Sequence, residues 1–206
     1  MRAFFVAAFL SATVFPASPA LAGDAHLSQL DPTVVSAHCA ALGGFSAPTK
    51  LIQLEARISI ASCVASEALD RTPRQRPSRA LAELGADVAP AIAMLDEVLD
   101  QARDEPRAAI IADSAKANLY MSVVVRARSM LPSMEATSPD DVMVALEAAH
   151  RALELEAVPL VDQAEVAYSA IAALARLHPE LRDPVIQTAV RDSHIALDAT
   201  PLSASR

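Results

Sequence analysis

Glycine is nearly missing from this chain, which has four in 206 residues, at positions 23, 43, 44 and 85. Phosphate-cradling loops need several glycines at fixed spacing, so neither G-x-x-x-x-G-K-[ST] nor G-x-G-x-x-G can be drawn. β-Hairpins are disfavoured as well, because their tight turns rely on residues at positive φ. Tryptophan is absent and aromatics make up 3% of the chain. Stacking platforms for bases, and the aromatic faces on which sugars pack, therefore lack their material. Basic charge is in the minority, with 17 Lys and Arg against 25 Asp and Glu. That sign opposes nucleic acid phosphates, so no nucleic-acid partner is expected. No G-x-S-x-G elbow and no H-E-x-x-H pair occurs.

What is present begins at the N-terminus. Residues 1–22 read MRAFFVAAFLSATVFPASPALA. One positive charge precedes an apolar run too short to span a bilayer, and Ala20-Leu21-Ala22 supplies an A-x-A exit, which is the pattern of a cleaved secretory signal peptide. Cleavage would leave a chain starting at Gly23 and remove only Arg2 among the charges, taking the formal −8 to −9. No later segment reads as an uninterrupted apolar run of about 20 residues, so the expectation is a soluble periplasmic or extracellular protein without a transmembrane segment.

That compartment bears on the two cysteines, Cys39 and Cys63. In an oxidising environment they are expected to form a disulfide. No C-x-x-C exists for redox chemistry or haem attachment, and only His38 lies near Cys39 in sequence. His38 and Cys39 stand about 100° apart on a helix and do not converge on one ion. A bridge needs α-carbons within about 7 Å, which requires the 43–49 connection to run extended along the second helix.

Alanine, leucine, glutamate and arginine dominate the rest and favour helix. The fold class expected is all-α, an antiparallel bundle or array of about six or seven helices in a single domain over 23–206. Its parts are an N-terminal helical pair over 31–70, a loop over 71–79, a helical array over 80–198 and a frayed tail over 199–206. Asp31-Pro32 is expected to open the first helix and Gly43-Gly44 to close it. The second runs from Pro48-Thr49 to Asp70 with the stripe Leu51, Leu54, Ile58, Ala61 and Ala65. Pro90 is expected to kink or split the next helix, and Pro159 to break a later one. Asp104 is expected to cap the segment holding Leu119 to Val125, whose nearly all-round apolar character marks the central helix. Asn118 reads as a buried amide satisfied by a neighbour. Ser138-Pro139-Asp140-Asp141 opens a helix with the stripe Val142, Leu146, Ala149 and Leu153, continued after Pro159 by Leu160, Ala164, Ala167, Ile171 and Leu174. The last helix uses Val185, Ile186, Ala189, Val190 and Leu197. The stretch RALELEAVP (151–159) resembles half of a tetratricopeptide repeat, but steps of about 34 residues reach unlike sequence, so the resemblance implies no function.

Candidate chemistry is sparse. Glu147 and His150 form E-x-x-H, the di-iron spacing, without the second copy and extra glutamates that such a site needs. Asp113 and Lys116, at i and i+3, read as a surface ion pair. Met121, Met130, Met134 and Met143 read as flexible core filler rather than copper ligands. No cofactor and no metal are expected. The stretch RTPRQRPSR (71–79) places Arg71, Arg74, Arg76 and Arg79 together on an otherwise acidic chain, as a solvated connection or as the contact for an anionic partner. The best functional reading is a non-enzymatic interaction or scaffold module whose partner is another exported protein. A carrier of a small apolar ligand or metal between helices is the alternative, and an enzyme built on Glu147, His150, Asp113 and Lys116 comes third.

Overall fold

The computed structural model describes residues 36–42, 49–70, 77–130 and 139–199, with the side chains of 77–78 and 139–142 excepted. The protein is all-α. Among the described residues it has six helices and no strand: α1 (Ala37–Ala41), α2 (Lys50–Asp70), α3 (Pro77–Gln101), α4 (Pro106–Ser129), α5 (Pro139–Leu177) and α6 (Pro184–Ala199). The signal-peptide segment, the Gly43-Gly44 stop and the loop from Gly43 to Pro48 lie outside the described residues, as does the Ser138 cap.

Helix boundaries follow local chemistry, not always at the expected residue. Ser36 has an extended backbone (φ −63°, ψ 156°) and its hydroxyl accepts from the Cys39 N–H, so α1 starts at Ala37; the start expected at Asp31-Pro32 lies outside the described residues. Thr49 caps α2 by accepting from the Ile52 N–H at 3.3 Å. Asp183 does the same for α6, accepting from the Val185 and Ile186 N–H groups. At α4 the N-cap position is Glu105 rather than Asp104, with Pro106 following and no side-chain cap bond.

The break expected at Pro159 does not occur, and of the two outcomes expected at Pro90, a kink or a split, the split does not. Neither Pro90 nor Pro159 ends its helix, and α5 runs 39 residues, about 58 Å, as one element. The buried stripes explain why. Leu81, Leu84, Val88, Ala91, Leu95 and Val98 hold one 3-4 phase across Pro90, and Leu153, Ala157 and Ala164 hold theirs across Pro159. Breaking either helix would throw half its stripe off the core. Each proline instead leaves a carbonyl one turn back, at Ala86 and Leu155, and both residues are exposed where water can serve it.

α4 is the centre, packing on α2, α3, α5 and α6. It is also the one described helix long and apolar enough to cross a membrane, a composition that burial by four neighbours accounts for. Its central stretch buries Leu119, Tyr120, Val123 and Val124, while Val125 faces out. Arg128 bonds Glu154 and Tyr168 bonds Asn118, so α4 and α5 run antiparallel. The core is continuous in three parts. One joins Cys39, Val64, Leu84, Val123 and Leu153; a second joins Leu54, Ile58, Leu95 and Ala112; a third joins Ile110, Tyr120, Ala167, Ile171 and Ile186.

Several expectations need correction in detail. Asn118 is exposed, although its Oδ1 does accept from Tyr168 Oη at 3.2 Å. Val185 is half exposed and α6 buries Ile186, Ala189 and Ser193 instead. The 71–79 connection is shorter than expected, since α3 begins at Pro77 and Arg79 is helical.

Candidate functional site

α1 lies against α2, and their meeting point brings two cysteines, a glutamate and a serine together. Cys39 and Cys63 stand at disulfide distance with α-carbons 5.6 Å apart, inside the limit set from the sequence. Cys39 is fully buried and belongs to the core with Ile60, Val64 and Ala65. Two residues that the sequence did not single out complete the corner. Ser36 Oγ donates to Glu67 Oε1 at 2.7 Å, and a Glu67 oxygen lies within 4.8 Å of both sulfurs. Cys63 and Glu67 are four residues apart on α2 and so share a face, a spacing legible in the sequence; that α1 returns to that face is not.

The arginine cluster is only partly in view. Arg71, Arg74 and Arg76 lie outside the described residues, and Arg79 stands exposed in the first turns of α3. Glu147 and His150 are both exposed on α5, so the E-x-x-H pair points away from the core. Met143 is also exposed, whereas Met121 and Met130 are half-buried against the core as filler.

Asp113 and Lys116 do not form the expected surface pair. Lys116 Nζ engages Asp96 of α3, and Asp113 is buried beside them. Burial pushes the Asp113 carboxyl up to about 6, with Lys116 pulling it down and Asp96 pushing it up. Tyr120, one turn beyond Lys116, is raised by burial, opposed by Lys116 and assisted by Asp96.

A line of exposed apolar side chains runs along α5. Val144, Leu155, Val166 and Leu177 are 66 to 73% exposed and recur every 11 residues. Eleven residues make three turns with about 20° left over, so the four side chains form one line about 50 Å long. The line faces away from the buried stripe of Leu153, Ala157, Ala164 and Ile171. Ala148 and Ala173 are exposed along it, interleaved with Arg151 and Asp162. Isolated exposed apolar side chains are ordinary, but their alignment on one face is not. The 11-residue recurrence stood in the sequence, masked by the stronger stripe on the opposite face.

Comparison with protein-family models, with curated proteins and with solved structures finds no match to this chain.

Proposed function

We propose that this protein is an exported, non-enzymatic helical module that works by binding another protein along the outer face of α5. The observation that carries the reading is the line Val144, Leu155, Val166 and Leu177, four large apolar groups left in water on the longest helix. Leaving a Leu or Val side chain exposed forgoes about 1.5–3 kcal/mol each, and a partner that covers them recovers it. Export is part of the proposal and rests on the n-region, apolar run and A-x-A of residues 1–22. Arg71, Arg74, Arg76 and Arg79 add a second, electrostatic contact for an acidic partner, since arginine binds carboxylate in bidentate fashion.

A photo-crosslinking residue at Leu155, in the full chain and in its native exported fraction, tests the surface. Capture of a defined partner is expected, and it should disappear when Val144, Val166 and Leu177 are changed to serine with melting unaltered. Capture that survives those changes removes α5 as the contact. Changing the four arginines to glutamine should weaken capture at low salt only, and no change at any salt removes the loop.

A further inference from the structure

We propose that opening the Cys39–Cys63 pair converts the α1/α2 corner into a site for a thiophilic divalent cation such as zinc, with Cys39, Cys63 and Glu67 as its ligands. The inference is independent of the α5 reading. Three donor atoms, one from each residue, already lie within 4.8 Å of one another. Around a tetrahedral ion, with metal–sulfur bonds of about 2.3 Å and metal–oxygen bonds of about 2.1 Å, ligand atoms sit about 3.5–3.8 Å apart. α-Carbons 5.6 Å apart allow the two sulfurs that separation by side-chain rotation alone.

The supporting shell is also in place. Cys63 and Glu67 project from one face of a long helix, so their relative position is fixed by the backbone. Ser36 Oγ donates to Glu67 Oε1, holding the carboxylate at the sulfurs in the way outer-shell donors orient a metal ligand. The same hydroxyl accepts from the Cys39 N–H, so the cap that starts α1 also positions the first thiol. Cys39 is buried while Cys63 and Glu67 are half-buried, which leaves an approach for the ion and for water as a fourth ligand. Two thiolates favour zinc-like ions over magnesium or calcium.

The redox and proton balance is simple. The closed disulfide offers no thiolate and therefore no site. A dithiol reductant supplies two electrons and two protons, giving two protein thiols and its own disulfide. Binding of the cation then releases both protons and leaves two metal–sulfur bonds. In an oxidising compartment the pair is closed, and the site opens where a reductant reaches it.

The test uses the full chain, reduced with a dithiol, freed of reductant without air and titrated with Co²⁺. One equivalent should bind, with a near-ultraviolet thiolate-to-cobalt band and the visible bands of a four-coordinate ion. Protein left oxidised should show neither. Glu67→Gln retains an acceptor for Ser36 and should weaken binding at least about 10-fold. Equal affinity in that variant overturns the three-ligand site, as does an ion shared between two molecules in sedimentation. Circular dichroism is followed throughout, with Cys39→Ala/Cys63→Ala as the control for a helical fold without the bridge. Reduced protein that is helical yet shows no thiolate band overturns the proposal. So does reduced protein that has lost its helices and does not regain them with cobalt or zinc.

Discussion

Asp113 is the one acidic side chain that the fold buries among the described residues. Its carboxyl is raised to about 6 chiefly by burial, against the pull of Lys116. A raised value means that the native state holds this proton more tightly than the unfolded chain. The resulting stability is fully present below about pH 4 and is lost as pH rises through 6. At neutral pH the charged carboxylate costs up to about 3 kcal/mol, at 1.36 kcal/mol per unit. Asp113→Asn should therefore raise the melting temperature at pH 7.5 and leave it nearly unchanged at pH 4. An equal gain at both values would rule out desolvation as the cause.

Asp183, held by Arg107, shifts in the opposite direction. Arg107 Nε donates to Glu55 Oε1 at 2.6 Å and its other arm pairs with Asp183, so one guanidinium ties α2, α4 and α6 together. Burial would raise the Asp183 carboxyl, but Arg107 and the N–H groups of Ile186 and Val185 outweigh it and hold it below the usual carboxylate range. That contribution is present above the unfolded value near 4 and disappears as pH falls through the depressed one. Arg107→Gln should cost about 1–2 kcal/mol at pH 7, read by urea unfolding, with the loss shrinking as pH falls below the ordinary carboxylate range and Asp183 takes up its proton. Arg107→Lys should recover only part of it, because a single ammonium cannot fork toward both acids.

At the scale of the element, α5 presents two apolar faces with different fates. Leu153 is 5% exposed and Leu155, two residues on, is 70% exposed. Residue type gives no reason to rank one leucine above the other; the 3.6-residue period that puts Leu153 in the stripe turns Leu155 about 200° away from it, and packing against α4 buries the stripe. Leu153→Ala should cost about 2–4 kcal/mol, whereas Leu155→Glu should stay within about 0.5 kcal/mol in a thermal melt of the isolated protein. A large loss at Leu155 would show that the outer face is covered in the free molecule. The same helix shows why local rules failed at Pro159. A proline costs about 3 kcal/mol in a helix interior, and losing a stripe of Leu153, Ala157, Ala164 and Ile171 costs more.

At the scale of the whole molecule, the Cys39–Cys63 pair spans 24 residues and, with the Ser36–Glu67 hydrogen bond, anchors a five-residue helix to α2. An isolated helix that short is not stable in water, so α1 depends on its attachment to α2. Loop closure of this length contributes about 3 kcal/mol by the chain-entropy account. Replacing both cysteines by alanine should lower global stability by that order. Amide exchange should accelerate first at Cys39 and Ala40, before α3 to α6 respond. Uniform acceleration across the bundle would show that α1 is integral to the core rather than strapped onto it.

Composition alone was enough to make this protein all-α, because scarce glycine removes tight turns and abundant alanine and leucine lower the cost of helix. Stripe positions such as Leu54, Ile58, Ala164 and Ile171 were legible because a 3.6-residue period needs no knowledge of the partner helix. The same local information could not weigh a proline against a stripe that continues beyond it, so Pro159 read as a break and Pro90 as a kink or a split. It could not tell that Asp113 turns inward while Lys116 reaches across to Asp96, since i and i+3 fix a common face but not which face the neighbours cover. Nor could it bring Ser36 and Glu67 to the cysteines, or leave Val144, Leu155, Val166 and Leu177 in water. Those outcomes depend on which helix lies against which, and that is decided by burial summed over the whole core rather than by any residue's own preference.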